Sequence, residues 1–219
     1  MKIVFDLDGT LIDSAPAILM NANAVLAEEA LPAITAAQCR TFIGNGAGVF
    51  VERLEHASAG ATEPLRLARM TARFLELYES SHDGTEAYPG AAATLDALRA
   101  AGWRLGLCTN KPIGPTRSVL AHFGWESVFD AVVGGDSLPV RKPDPAHLHA
   151  VIDALGGGPV IYVGDSEVDA ETAHAAGVPF ALYTPGYRKT PVATIAHSQA
   201  FDDFTTLPRI AQAMIRSMR

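Results

Sequence analysis

The sequence predicts an α/β fold: a doubly wound, Rossmann-like parallel sheet with an all-helical segment inserted after the first strand. Three observations predict it. Short, near-continuous apolar runs alternate with amphipathic stretches, the pattern of strands covered on both faces by crossover helices. That rhythm stops between Ser14 and Tyr88, where every pattern is helical. Acids and hydroxyls recur just past the apolar runs, where open parallel sheets form their ligand crevice.

Taken in order, Ile3-Val4-Phe5 is the first strand. Ala15 to Ala30, Ala36 to Ile43, Gly48 to Ser58 and Pro64 to Ser81 then read as helices with short Gly or Pro breaks. Met70, Phe74 and Leu77 follow a 3-4 apolar spacing and are expected in the core of this helical segment. Ser81-His82-Asp83-Gly84 is the return linker, and Tyr88-Pro89-Gly90 opens the next core helix. Trp103 to Cys108, Ala131 to Val133, Val160 to Val163 and Phe180 to Tyr183 complete the strands. They are joined by helices at Pro112 to Phe123, Pro145 to Leu155 and Glu167 to Ala176. The expected division is a core of residues 1–14 and 85–219, with the helical insert at 15–84.

With 48% apolar and 19% charged residues, the 219-residue chain can bury a core. A formal charge of −7, from 17 basic against 24 acidic residues, gives no general attraction to nucleic acid or an anionic membrane. Neither is expected as a partner, and an anionic substrate must be held by a few placed cations or a metal. Two cysteines, Cys39 and Cys108, are too few for a disulfide framework or a thiolate site. Two carboxylates within the first eight residues, and no apolar run near 18 residues, point to a cytoplasmic protein. Monomer and homodimer are equally compatible with the sequence.

The strand ends carry Asp6-Leu7-Asp8-Gly9-Thr10, Thr109-Asn110, Arg141-Lys142-Pro143 and Gly164-Asp165. Carboxylates about 4 Å apart repel by about 4 kcal/mol per pair at an effective dielectric of 20, so three acids in one crevice call for a cation. All-oxygen ligation beside a phosphoryl group suits Mg²⁺, with a lysine and a threonine for the remaining oxygens. A carboxylate nucleophile with a second acid splits the high barrier of monoester hydrolysis into two steps.

Asp6-Leu7-Asp8-Gly9-Thr10-Leu11, Cys108-Thr109-Asn110, Lys142-Pro143 and Gly164-Asp165-Ser166-Glu167-Val168-Asp169 resemble, in order, the four motifs of the haloacid dehalogenase-like hydrolase superfamily. The match runs over nearly the whole chain, and the helical insert lies where that superfamily carries a mobile cap. Phe42-Ile43-Gly44-Asn45-Gly46, Thr109-Asn110-Lys111-Pro112, Gly134-Gly135-Asp136 and Arg141-Lys142-Pro143-Asp144-Pro145 are similar to the phosphoglycolate phosphatase family. The resemblance implies that Asp6 attacks phosphorus and that Asp8 is the general acid, then the general base. It implies that Thr109, Asn110 and Lys142 hold phosphate oxygens. It implies Mg²⁺ on Asp6, the Asp8 carbonyl oxygen and Asp165, with Asp169 orienting a metal-bound water. The expected reaction is Mg²⁺-dependent hydrolysis of a small phosphorylated metabolite, with 2-phosphoglycolate the leading substrate.

Other readings compete at each point. Asp6 and Asp8 also suit a turn after a strand, and Asp165-Ser166 suits a helix N-terminus, a role compatible with metal binding. Gly44, Asn45 and Gly46 read either as a helix-to-helix turn or as a substrate-facing loop. Arg53, two helical turns on, suits a small carboxylate; its other reading is a solvated arginine facing Glu52 or Glu55. His147 and His149, two residues apart, cannot share a helix face as metal ligands. Pro185-Gly186-Tyr187-Arg188 resembles the family's last loop, but Lys189-Thr190-Pro191 departs from it. Asp8 argues against a dehalogenase, and the lack of any lysine between Ala15 and Gly84 argues against Schiff-base phosphonate cleavage. Phosphatases of pyrophosphate, sugar or amino-sugar phosphates, a phosphosugar mutase, and a non-turnover phosphoryl switch remain as alternatives.

Overall fold

The structure, a computed structural model, describes residues 1–218. The strands are β1 (Lys2–Phe5), β2 (Ile12–Asp13), β3 (Glu86–Ala87), β4 (Arg104–Cys108), β5 (Ala131–Val133), β6 (Ile161–Gly164), β7 (Phe180–Tyr183) and β8 (Gln199–Phe201). Four helices lie between β2 and β3: α1 (Ala15–Glu28), α2 (Ala36–Phe42), α3 (Ala47–Ala59) and α4 (Pro64–Ser80). The remaining helices are α5 (Ala91–Ala100), α6 (Ile113–His122), α7 (Ala146–Ala154), α8 (Glu167–Ala175) and α9 (Leu207–Ser217).

Six strands form one parallel sheet in the order β5-β4-β1-β6-β7-β8. From β1 the chain builds outward through β4 to β5, then crosses back to lay β6 on the other side of β1. The order therefore turns between β1 and β6, and the crevice of such a sheet opens beyond the carboxyl ends at that point. The two-residue alternation of the strands feeds two cores. Ile3, Phe5, Leu105, Leu107, Ile161 and Val163 face one layer, which also holds Leu95, Leu120, Leu207 and Ile215. Val4, Cys108, Tyr162 and Leu182 face the other, with Leu148, Val151 and Ala173. Gly106 belongs to this second face, where a Cβ would collide with Val151 and hold α7 off β4.

Helices α1 to α4 have an apolar cluster of their own, built on Ile18, Leu26, Phe50, Leu54, Met70 and Phe74. Phe50 stacks on Phe74 with ring centroids 5.0 Å apart. The expected Met70 and Phe74 are buried there, but the third member of the stripe is Tyr78, while Leu77 is half-buried. The cause is spacing: four-residue steps keep 70, 74 and 78 on one row of the helix. Chain entry and exit are paired as a short antiparallel ladder, Ile12 with Ala87 and Asp13 with Glu86. This ladder, β8 and α9 are additions of the structure to the elements expected above. The pattern of α9 was present, since Leu207, Ile210, Ala211, Met214 and Ile215 are all buried along one stripe. Among the described residues, no helix is long and apolar enough to cross a membrane.

One glycine pair decides how the site loops meet. Gly134 and Gly135 follow β5 and pass under the loop after β4; the Gly135 N–H donates to the Lys111 carbonyl at 2.7 Å. A Cβ on Gly135 would overlap the Asn110 carbonyl, and one on Gly134 would lie 2.8 Å from the Ile113 nitrogen. Gly135→Ala is expected to cost about 2 kcal/mol by overpacking, a fall in Tm of roughly 4–8 °C for a chain of this size. A thermal melt of the purified variant checks it, and an unchanged Tm would contradict the close packing described.

Candidate active site

Asp6 follows β1 and Asp165 follows β6, so the turning point of the sheet sets two carboxylates side by side. Thr109 and Asn110 follow β4, and Lys142 comes from the loop after β5. The Lys142 ammonium reaches the centre of the crevice, 2.9 Å from Asp6 Oδ1 and 2.7 Å from Asp169 Oδ1. It also donates to the Tyr162 hydroxyl at 2.9 Å, and that hydroxyl donates to Asp169 Oδ1 at 2.7 Å. Thr10 Oγ1 donates to Asp165 Oδ1 at 2.8 Å, and the Tyr187 N–H donates to Asp165 Oδ2 at 2.6 Å.

Asp169 organises these groups from the first turn of α8. Its Oδ2 accepts the N–H groups of Asp165 and Ser166, both at 3.2 Å, and the Ser166 hydroxyl at 2.6 Å. Ser166 caps the Asp169 N–H in return, so the two form a capping box at the start of the helix. With Lys142 and Tyr162 on Oδ1, both Asp169 oxygens are committed to protein donors. Glu167 holds the neighbouring loop, its Oε1 accepting the N–H groups of Lys189 at 2.8 Å and Thr190 at 2.6 Å.

The charge state follows from burial. Asp6 is pushed up to about 7, first by burial and then by the charge of Asp169, with Lys142 opposing. Asp165 is raised well above the carboxylate range by burial, then by Asp169 and Asp6. Burial acts the same way on Asp169, but Lys142, Ser166 and Tyr162 together outweigh it and hold that carboxyl low. One oxygen from each of Asp6, Asp165 and Asp169 can be chosen so that all lie within 4.8 Å of one another. Two buried acids held up in pKa, in an all-oxygen donor set, fit a hard divalent cation. Asp169, already saturated, fits the role of holding the ligands rather than acting as one.

Asp8, half-buried, faces the helical segment. Ser14 Oγ donates to its Oδ1 at 2.7 Å, Tyr78 of α4 donates to its Oδ2 at 3.1 Å, and Lys111 lies 3.4 Å from Oδ1. The Tyr187 phenol oxygen accepts the N–H groups of Ser14 at 2.7 Å and Ala15 at 2.9 Å, and its hydroxyl donates to Asp13 at 2.6 Å. Between the two halves lies a cleft. The sheet side is polar, with Asp6, Thr109, Lys142 and Asp165; the helical side is apolar, with Ile18, Ile43, Phe50 and Phe74.

The profile of the haloacid dehalogenase-like hydrolases matches residues 3–183. The chain belongs to this family. It is 49% identical over 214 residues to a phosphoglycolate phosphatase of Cereibacter sphaeroides, covering 97% of this chain and 98% of that protein. A phosphoglycolate phosphatase of Rhodobacter capsulatus is 41% identical, with 96% of each chain covered. Among solved structures, a predicted phosphoglycolate phosphatase from Haemophilus somnus 129PT superposes with a TM-score of 0.90 at 33% identity, over 95% of this chain and 96% of that one.

In this haloacid dehalogenase-like hydrolase, the expected residues Asp6, Asp8, Thr109, Asn110, Lys142 and Asp165 all line the cleft, with Asp169 directly behind them. Gly44 and Gly46 line it too, and Gly46 takes φ +87°, a backbone conformation that favours glycine. Arg53 does not line this cleft, and it pairs with neither Glu52 nor Glu55. Its guanidinium donates to the Phe42 carbonyl at 3.1 Å and to Asn45 Oδ1 at 3.0 Å, which also turns the Asn45 side chain from the cleft. Both bonds come from one guanidinium nitrogen, so Arg53 ties the loop to the next helix. Asn110 contributes its side-chain amide, which bonds the Gly44 carbonyl and both backbone groups of Lys142, all at 3.0 Å.

Tyr162, Tyr78 and Lys111 were missed. Tyr162 lies inside an apolar strand run and reads as core; Tyr78 lies one turn beyond Phe74 on the same row; Lys111 stands in the Thr109-Asn110-Lys111-Pro112 motif with nothing local to mark a role.

The raised Asp6 gives a pH signature. Its carboxyl titrates near 7 in the folded chain against 3.8 unfolded, so between these values the folded state holds the extra proton. Stability from this group is therefore lost as pH rises, at up to about 1.4 kcal/mol per pH unit. In chelator, the wild type is expected to lose stability relative to Asp6→Asn between about pH 4 and pH 7. Parallel urea titrations check this; a constant or rising difference would contradict the buried, raised carboxyl.

Proposed function

We propose that this chain is a phosphoric monoester hydrolase that converts 2-phosphoglycolate to glycolate and inorganic phosphate. The observation that carries the reading is the convergence of Asp6, Asp165 and Lys142 at the turning point of the sheet, with Asp8 opposite the apolar helical face. The names of the Cereibacter and Rhodobacter relatives support the choice of substrate.

In the first step an Asp6 oxygen attacks phosphorus and the ester P–O bond breaks, while Asp8 delivers a proton to the leaving oxygen. In the second, Asp8 takes a proton from the water that attacks phosphorus. The bond between phosphorus and Asp6 then breaks and releases phosphate. Lys142 and Thr109, with Asn110, bind the phosphoryl oxygens that do not react. Ser14 and Tyr78 hold Asp8 in place for both proton transfers. Asp6, the Asp8 carbonyl oxygen and Asp165 would hold Mg²⁺, with Asp169 setting their positions. When bound, the cation draws off negative charge from the phosphoryl group and stabilises the ionised form of Asp6. Residues 15–84 act as a cap that excludes bulk water from the reaction and selects the leaving group.

The test is phosphate release from 2-phosphoglycolate, pyrophosphate, sugar 1- and 6-phosphates and an amino-sugar phosphate, each with Mg²⁺ and with chelator. The expected result is Mg²⁺-dependent release with kcat/KM at least about a hundredfold higher for 2-phosphoglycolate, equivalent to about 2.7 kcal/mol. Asp6→Asn should lower kcat by about a thousandfold or more. Flat activity across the panel would remove the substrate and keep the chemistry. Dependence on a bisphosphate activator would identify a mutase.

A further inference from the structure

Lys111 is a buried cation whose charge the phosphoryl-transfer set does not account for. Its side chain is 2% exposed, and its one hydrogen bond, to Asp8 Oδ1, is long at 3.4 Å. On another side the ammonium rests 3.5 Å from the centroid of the Tyr78 ring. An ammonium carries three donors, and burial pulls this one's pKa down. Lys142 differs, with Asp6, Asp169 and Tyr162 all within 2.9 Å. Asp8 does not need Lys111 either, because Ser14 and Tyr78 already donate to its two oxygens.

The backbone of Lys111 is fixed on both sides. Its N–H donates to Thr109 Oγ1 at 3.1 Å, and its carbonyl accepts the N–H of Gly135 at 2.7 Å and the hydroxyl of Thr116 at 3.2 Å. The ammonium is thus held at the seam between the polar and apolar walls of the cleft. Of the other cations there, Lys142 is engaged and Lys189 lies exposed.

We infer that Lys111 is the specificity residue, its ammonium receiving a carboxylate borne on the carbon next to the ester oxygen. This rests on the reading of the site as a monoester phosphatase. Asp8 hands its proton to the leaving oxygen, so that oxygen comes within hydrogen-bond reach of Asp8, and Lys111 is 3.4 Å from the same carboxylate. A charge one or two bonds from the leaving oxygen meets the ammonium; a charge at the far end of a longer chain does not. Apart from the exposed Lys189, the charged groups a substrate carboxylate would meet elsewhere in the cleft are the engaged Lys142 and the acids Asp6, Asp8, Asp165 and Glu167. Lys111 therefore makes the site one for short 2-phosphooxy acids.

The experiment compares kcat/KM for 2-phosphoglycolate, its carboxyl methyl ester and ethyl phosphate, in wild type, Lys111→Met and Lys111→Arg. The wild type is expected to prefer 2-phosphoglycolate over both uncharged analogues by at least a hundredfold. Lys111→Met should shrink that preference at least tenfold, chiefly through KM, and Lys111→Arg should keep part of it. Equal losses on all three substrates would mean that Lys111 serves Asp8 alone, and would overturn the inference. So would an undiminished preference in Lys111→Met. Wild type turning over the methyl ester as well as 2-phosphoglycolate overturns it without any variant. Absence of phosphate release from every monoester would instead remove the phosphatase reading, and the inference with it.

Discussion

Burying several carboxylates at one end of a parallel sheet is unfavourable twice over, through lost hydration and through mutual repulsion, and the contact between Lys142 and Asp169 answers both. The pair is 2.7 Å long and closed off from water, and Tyr162 donates to the same Asp169 oxygen. Asp169 then has a second oxygen free to gather the N–H groups of Asp165 and Ser166. Through those bonds it sets where Asp165 stands, where α8 begins and how close Asp6 lies to a positive charge. Breaking such a pair by removing one partner typically costs about 3–5 kcal/mol. Here it would also release the loops that carry the acids.

The two carboxylates in front of this pair have raised pKa values, first because they are buried and then because the Asp169 charge lies beside them. Asp6 and Asp165 are poor anions in the protein alone, and a divalent cation held between them would make them good ones. Asp169 stays ionised throughout, because its neighbours are built in rather than recruited. Chemically similar side chains a few ångströms apart thus divide into a permanent anion and two conditional ones.

Much of this was legible in the sequence, for identifiable reasons. Parallel strands are apolar on both faces, so Ile3-Val4-Phe5 and Ile161-Tyr162-Val163 stand out, and Asp6 and Asp165 follow them by one and two residues, where the chain reaches the crevice. Asp6, Thr109 and Asp165 were found because they occupy such positions. Lys142 was found by motif order, since nothing local marks it. What stayed hidden depends on contacts distant in sequence. Arg53 had two plausible partners in its own helix, yet the decisive acceptors were the carbonyl of Phe42 and the side chain of Asn45 in the preceding loop. The task of Tyr162 exists only because Lys142 and Asp169 converge on it. The β2–β3 ladder is two residues on each side, too short to leave a pattern.

Tyr187 links the two halves in a way that constrains motion. Its backbone N–H holds Asp165, its ring packs in the apolar cluster of α1 to α4, and its phenol oxygen receives the N–H groups of Ser14, just before α1, and of Ala15, its first residue. The base of the helical segment is thereby pinned to the same residue that steadies an acid of the site. A swing of the helices that keeps these bonds turns about the start of α1 like a door on its post, and α2 sits at that post too, through Arg40 on Asp13 and over the Tyr187 ring. The Asn110 amide bond to the Gly44 carbonyl crosses the cleft and is not among the bonds kept, so such a swing would have to break it, while the Tyr187 N–H would stay on Asp165.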